Sequence, residues 1–482
     1  MSVSTTNTES SKVNLNDNDV EKVTNIDSDN DSAPDLTNIK ESDTKEPQVK
    51  APIDLNNTEM PEHDDSSVVE EPKKGIIGLD NLGNTCYLNA VIQTISNIDD
   101  FRKFLFDGEF TEHLKGPLEE SLFYQTFRII KHMWESSEDS LAPRSFKKKF
   151  VEKQKQFMGF EQQDSHEAMQ FLIDHLHEEI ARPIKLNISL PPELNEYFDF
   201  CDKYYQRFEL DKDAKIDKDI LKIFDTKLEE TVDYFAMKHY NQLSSKYSSI
   251  SEFFQSITCS LIKCPDCSHV SPKFDNNYMI EIEIPELDDT DIKNSELFKK
   301  IFAEKVEELK EKTDNQELIA KFCINEIKQK YIHKLNDLLM NYQKSEKLDD
   351  SNLWNCEVCE KKVNGIKQTK IFKNPQYLII HFKRFKHIMQ NGNVSIMKIK
   401  NLIGYEKYLD IKPLMLKNTE NTKYELVGGI NHMGEYQFGH FTNFAKNNDK
   451  WYNFNDEKVN EINCTGIPLT QNAYMLIYKR CD

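Results

Sequence analysis

The spacing of apolar positions changes partway along the chain. From Thr85 to Ser96 the residues Ala90, Val91, Thr94 and Ile95 recur at helical spacing, which predicts a helix there. Further helices are expected around Leu118 to Glu135 and Ser145 to Gln154. A stronger one covers Gln163 to Ile180, with Ala168, Phe171, Leu172, His175, Leu176 and Ile180 on one face. From Ile257 the pattern turns to short alternating or apolar runs bounded by turn residues. Strands are predicted over Ile257 to Lys263, Tyr278 to Ile284, Tyr377 to Phe382, Tyr424 to Asn431, Phe438 to Ala445, Lys450 to Asn455 and Ala473 to Tyr478. Asp288 to Asp350 interrupts them with helical periodicity and reads as an inserted helical excursion. A charged, aromatic-rich excursion runs from about Asn187 to Ser249.

Composition adds an unequal distribution of charge. The chain has 482 residues, 38% apolar and 11% aromatic, enough for a substantial core, and a formal charge of -20. Met1 to Lys74 carries 18 acids against 7 lysines and no Phe, Tyr, Trp or Cys. Such a segment cannot bury enough apolar surface to offset its ordering entropy, so residues 1–74 read as a disordered acidic tail. The acidic balance argues against nucleic acid or an anionic membrane as partner and favours one with a basic face. No apolar run approaches the roughly 18 residues of a membrane span, and no signal-peptide pattern opens the chain. An intracellular protein, in cytoplasm or nucleus, is expected.

Chemistry enters at Gly-Asn-Thr-Cys-Tyr-Leu-Asn-Ala-Val-Ile-Gln, Gly83 to Gln93, and far downstream at Gly-His-Phe-Thr-Asn-Phe, Gly439 to Phe444. Cys86 falls in the first turn of a helix, where unpaired amides and the helix dipole favour a thiolate. A thiol is a weak nucleophile until a neighbouring imidazole takes its proton, and His440 can supply one, as in papain-like sites. Asn81, five residues upstream of the cysteine, is a candidate donor to the oxyanion of a tetrahedral intermediate. Cys264-Pro-Asp-Cys267 and Cys356-Glu-Val-Cys359 form two knuckles whose four thiolates suit one tetrahedral structural zinc ion.

The segment Gly78 to Gln93 resembles the cysteine box of the ubiquitin-specific proteases. The likeness continues through Gln162-Gln-Asp-Ser-His-Glu-Ala-Met-Gln-Phe-Leu172 and Pro375-Gln-Tyr-Leu-Ile-Ile-His-Phe-Lys-Arg-Phe385. It ends with Tyr424 to His432, Gly439 to Asn443, Trp451 to Asp456 and Asn472 to Tyr478. The resemblance implies an α+β papain-like cysteine protease fold with a helical thumb, zinc-ribbon β fingers and a β palm. The catalytic domain would cover 75–482: thumb about 75–250, fingers about 251–375 with the helical insertion 288–350, and palm about 376–482.

The implied activity is hydrolysis of isopeptide bonds at the C-terminal glycine of ubiquitin, with peptide and ester bonds as further substrates. His440 would be the general base and Asn455 would orient it, with Asp456 as the second candidate. Gln163, Asp164 and Gly439 would line the channel for the ubiquitin tail. The knuckles would sit at the tip of the fingers, no organic cofactor is implied, and the helical insertion is a place for a protein partner. The chain departs from the family pattern at Phe441, Phe438 and Ala168-Met169, none of them a reacting group. Two other readings are a catalytically silent ubiquitin binder and a zinc-containing scaffold.

Overall fold

The computed structural model describes residues 71–186, 190–211, 215–309, 315–390, 393–419, 421–463 and 472–481. The acidic segment read as a disordered tail lies outside the described residues except for its last four.

The helix that begins at the cysteine, α1 (Cys86–Ser96), is buried along its whole length. Its residues are apolar on several faces, as a helix enclosed on all sides requires, and truncating a buried Leu88 or Ile92 would cost ~2–5 kcal/mol. Around it stand α2 (Asp99–Asp107), α3 (Leu122–Glu135), α4 (Arg144–Lys153) and α5 (Ser165–Ile180). Two polar side chains of α1 find backbone acceptors: Gln93 Nε2 donates to Ile77 O at 2.7 Å, and Thr94 Oγ1 donates to Ala90 O within the helix.

Asp164 caps α5, its Oδ1 accepting from His166 N at 2.7 Å, which contributes ~1 kcal/mol. At the other end of α5, the Glu179 carboxylate accepts from Ser121 Oγ (2.7 Å), Leu122 N (2.9 Å) and Phe123 N (2.8 Å). One carboxylate thereby satisfies the open amides at the start of α3 and ties the two helices together.

The aromatic-rich excursion folds as α6 (Pro192–Leu210), α7 (Lys218–Thr226) and α8 (Leu228–Leu243) around Tyr197, Phe198, Tyr204, Phe224 and Tyr234. The later insertion is also helical, over Asp289–Asn294, Glu296–Leu309, Gln316–Lys330 and Leu335–Tyr342.

In chain order, the longer strands that build the two main sheets are β1 (Ser256–Lys263), β2 (Val270–Asn277), β3 (Ile280–Glu283), β4 (Ile366–Lys373), β5 (Tyr377–Lys383), β6 (Lys423–Met433), β7 (His440–Asn447), β8 (Lys450–Asn455), β9 (Lys458–Ile462) and β10 (Ala473–Arg480). One sheet has the order β2-β1-β4, with short Glu346–Lys347 at its edge. The larger, eight-stranded sheet runs β9-β8-β7-β6-β10-β5-β3, with Tyr408–Asp410 alongside β6. Its pairs are antiparallel except β5 with β3.

β5 and β10 are interior strands of this sheet, buried on both faces, which explains their nearly continuous apolar runs. Ile430 on β6 and Phe441 on β7 share one core with α1. Asn443 Nδ2 also donates to Thr94 Oγ1 at 2.7 Å. This seating of α1 across β7 brings together two chain segments more than three hundred residues apart. Among the described residues no helix is long and apolar enough to cross a membrane.

Candidate active site

Cys86 is the first residue of α1 and is buried. The loop before it passes through left-handed backbone at Gly83 (φ 96°) and Asn84 (φ 52°). Thr85 makes no side-chain cap; its Oγ1 accepts from Leu82 N at 2.8 Å instead. Asn81 Oδ1 accepts from Gly83 N (3.0 Å) and Thr85 N (3.1 Å), closing the loop on itself. A Cβ at Gly83 would lie 2.7 Å from the Phe160 ring, so only glycine fits this turn unless that ring moves.

His440 opens β7. Gly439 just before it donates its N–H to Gln162 Oε1 at 3.1 Å. A Cβ on Gly439 would fall 1.9 Å from His432 Nε2, which no packing tolerates. The imidazole Nε2 lies 2.7 Å from Asn455 Oδ1, and the ring is electrostatically coupled to Cys86. An amide oxygen only accepts, so Nε2 carries a proton and, in the neutral ring, Nδ1 is the basic nitrogen. The His440 pKa is raised to about 9: the thiol contact contributes most, partial burial opposes it, and Asn455, the Cys86 charge and the Asp456 charge add to the rise.

The sequence left Asn455 and Asp456 as alternatives, and the two side chains diverge. Asn455 ends β8 and meets the ring, whereas Asp456, with φ 49°, turns towards the cysteine loop. Its Oδ2 accepts from Asn81 Nδ2 and its Oδ1 from Asn89 Nδ2, both at 2.8 Å, while Oδ2 stands 4.0 Å from His440 Nε2. Asn81 is further held by its own N–H to Glu457 Oε1 at 2.9 Å. Sequence reasoning passed over Asn89, Gln162, His432 and Glu457. Asn89 sits three residues after Cys86 on the same helix, and that spacing was the available signal.

Gln163 and Asp164 stand at the start of α5. Gln163 Nε2 donates to Gln156 O at 3.2 Å, and Asp164 Oδ2 accepts from Tyr474 OH at 2.5 Å. The His166 ring stacks on His381 with centroids 3.8 Å apart, so it belongs to the packing between α5 and β5.

The four predicted metal ligands come together. Cys264 and Cys267 lie in the β1–β2 turn, Cys356 and Cys359 in a second turn, and each knuckle is followed by a left-handed residue, Ser268 (φ 63°) or Glu360 (φ 53°). All four sulfurs lie within 4.8 Å of one another, with Cys264 to Cys359 at 3.8 Å and Cys267 to Cys356 at 3.6 Å. Tetrahedral zinc with bonds of about 2.3 Å sets sulfurs about 3.8 Å apart, so the donor set fits the ion.

The family model described as "Ubiquitin carboxyl-terminal hydrolase" matches residues 77–478. The chain is 26% identical over 473 residues to a probable ubiquitin carboxyl-terminal hydrolase R319 of Acanthamoeba polyphaga mimivirus, covering 85% of this chain and 91% of that protein. It is 22% identical to ubiquitin carboxyl-terminal hydrolase Usp2 of Drosophila melanogaster, over 92% of this chain, and 24% identical to ubiquitin carboxyl-terminal hydrolase 2 of Homo sapiens, over 84%. The chain spans only 39% and 55% of those two longer relatives. Among solved structures it matches the SAGA Ubp8/Sgf11/Sus1/Sgf73 DUB module bound to ubiquitin aldehyde. The TM-score is 0.55 at 19% identity, over 86% of this chain and 72% of that one. That likeness shows the shared α+β papain-like fold.

Proposed function

The chain belongs to the ubiquitin carboxyl-terminal hydrolase family, and from that membership we propose that Cys86, His440 and Asn455 are the triad with which it hydrolyses bonds to the C-terminal glycine of ubiquitin. It acts as a cysteine-type deubiquitinase on ubiquitin-conjugated proteins and chains. The observation that carries this reading is the single imidazole whose Nε2 meets Asn455 Oδ1 at 2.7 Å and whose pKa is raised chiefly by Cys86.

The thiol proton passes to His440 Nδ1, and the sulfur attacks the glycine carbonyl. The imidazolium then returns the proton to the departing lysine amine. Water, deprotonated by the same ring, releases ubiquitin from the sulfur and regenerates the thiol. Asn81 Nδ2 carries two hydrogens, and Asp456 engages one of them. The other donates to the oxyanion together with the first amides of α1. In this assignment Asp456 orients Asn81 and Asn89, and Asn455 orients the base.

Gln163, Asp164 and Gly439 line the slot for the two terminal glycines. Each oxygen of Asp164 keeps a lone pair for a substrate amide beside its bond to His166 N or Tyr474 OH. Cys264, Cys267, Cys356 and Cys359 hold one zinc ion that supplies folding energy to the turn and takes no part in the reaction, since a closed sphere leaves no position for substrate. A free nucleophilic thiol and four metal-binding thiols suit a reducing intracellular compartment. The helical insertion exposes Leu297, Leu318 and Phe322, which supports the reading that it receives a protein partner.

Wild-type protein should release the fluorophore from a ubiquitin C-terminal fluorogenic amide, and Cys86→Ala should not. Equal rates for the two would discard the triad.

A further inference from the structure

Apart from the cysteine loop and the knuckles, one further group of metal-type side chains converges: His166, Glu281 and His381. His381 on β5 and Glu281 on β3 are register partners in the parallel pair, and partners in register project to the same face of a sheet. His166, at the start of α5, is brought over that face, its ring lying on the His381 ring with centroids 3.8 Å apart. The candidate ligand atoms of the three residues all fall within 4.8 Å of one another, with His166 Nε2 3.5 Å from Glu281 Oε1. Zinc bonds of about 2.0–2.1 Å set tetrahedral donors about 3.4 Å apart. The histidine and carboxylate therefore already stand at ligand spacing.

A second observation points to a ligand. His381 is only 6% exposed, yet neither of its ring nitrogens has a hydrogen-bond partner among the described residues, and His166 Nε2 has none either. Buried polar groups left without a partner are rare and costly. The Tyr474 ring, 4.8 Å from His381, gives its hydroxyl hydrogen to Asp164 instead. Burial first, then the charges of His166 and Lys383, hold the His381 pKa well below the usual histidine value, so its ring is neutral, the form that ligates metal. Glu281 turns its Oε2 to Lys383 at 3.2 Å and its Oε1 to His166. Glu281 and Lys383 also border a polar groove of about 710 Å³, which gives an ion its path to the site.

We propose that His166, Glu281 and His381 form a second, exchangeable zinc site, separate from the four cysteines and from Cys86. Two imidazoles and a carboxylate suit zinc, with water completing the tetrahedral sphere. In a stack of nearly parallel rings the nitrogen lone pairs run side by side, so zinc turns the partly exposed His166 ring out of the stack while the buried His381 stays in place. Three ligands, one of them on the half-exposed Glu281, hold zinc less tightly than four thiolates, so purified protein keeps the four-cysteine ion alone. When bound, the second ion pins the start of α5 to β3 and β5, next to Asp164, whose Oδ1 accepts from His166 N and whose Oδ2 accepts from Tyr474 OH.

The test is equilibrium dialysis against rising Zn²⁺ of the full chain carrying Cys86→Ala, so that the nucleophilic thiol takes no metal, with bound zinc counted by elemental analysis. This parent should take up one zinc beyond the ion it is purified with, and its melting temperature should rise with free zinc. At the concentration that just saturates the parent, Glu281→Gln and His166→Asn should each lack the second ion and the melting shift, with secondary structure retained by circular dichroism. Glu281 lies at the surface, so its replacement keeps the test decisive should the His166 variant misfold. No uptake beyond the first ion, or a second ion that Glu281→Gln or a folded His166→Asn binds as tightly as the parent, would overturn the proposal.

Discussion

Replacing Asn455 with alanine removes the acceptor 2.7 Å from His440 Nε2 and nothing from the core, since Asn455 lies partly exposed at the end of β8. A hydrogen bond to a group that becomes charged contributes ~1.5–3 kcal/mol. At 1.36 kcal/mol per decade, kcat/KM on a ubiquitin fluorogenic amide should fall roughly 10- to 100-fold. Unfolding stability should change by about 0.5 kcal/mol or less.

The pH profile provides a second readout. The imidazolium of His440 is favoured up to about pH 9, first by the thiol contact and further by Asn455. It is present below that pH and lost above it, so the wild-type rate should decline as pH rises through about 9. Without Asn455 the decline should begin at lower pH, and Asn455→Asp, which returns an acceptor, should restore it. A variant within about threefold of wild type with an unmoved alkaline limb would refute the orienting role.

Gly439→Ala must displace β7 at His440, because the new Cβ would meet His432 Nε2 at 1.9 Å; kcat/KM should fall by about 100-fold or more, with circular dichroism showing retained secondary structure. Burial pushes the Glu179 carboxyl up, but bonds from His175, Phe123 N, Ser121 and Leu122 N outweigh it and hold the pKa below the usual value. Its stabilisation is therefore present above the unfolded value of about 4.3 and lost as pH falls through the lower folded value. Glu179→Gln should flatten stability against pH across that window and cost ~1–3 kcal/mol at neutral pH, read by urea unfolding. Purified protein should carry one zinc per chain by elemental analysis, and Cys356→Ser should lose it and lower the melting temperature; metal-free wild type with an unchanged melting temperature would contradict the zinc assignment.

Elements with a strong apolar pattern were legible in the sequence. The helix expected from Thr85 begins at Cys86, and β8 occupies the expected Lys450 to Asn455. β2 and β4 escaped because Ser271, Lys273, Asp275, Asn276 and Asn277, and likewise Lys367, Gln368, Thr369 and Lys370, give no period-two alternation of apolar residues. Their pairing with β1, rather than their own composition, makes them strands. The strand expected from Phe438 starts at His440, since the turn through Gly434 (φ 82°) ends only there.

Within the site, residue types and spacing pointed to Cys86, His440 and the four zinc-type cysteines, because each has a local context that suits its chemistry. The division of labour between Asn455 and Asp456 was not legible. They are adjacent, and only the left-handed backbone at Asp456 sends its carboxylate to Asn81 and Asn89 instead of to the imidazole. Contacts such as Gln162 with Gly439 join segments 277 positions apart and leave no trace in either segment alone.

The most direct measurement is reaction of the full chain with ubiquitin bearing an electrophile at its C-terminus, with mass spectrometry locating the adduct among the ten cysteines. A single ubiquitin on Cys86, formed slowly or not at all in His440→Ala, is the result this account predicts. An adduct on another cysteine, or one on Cys86 that forms equally fast without His440, would contradict it.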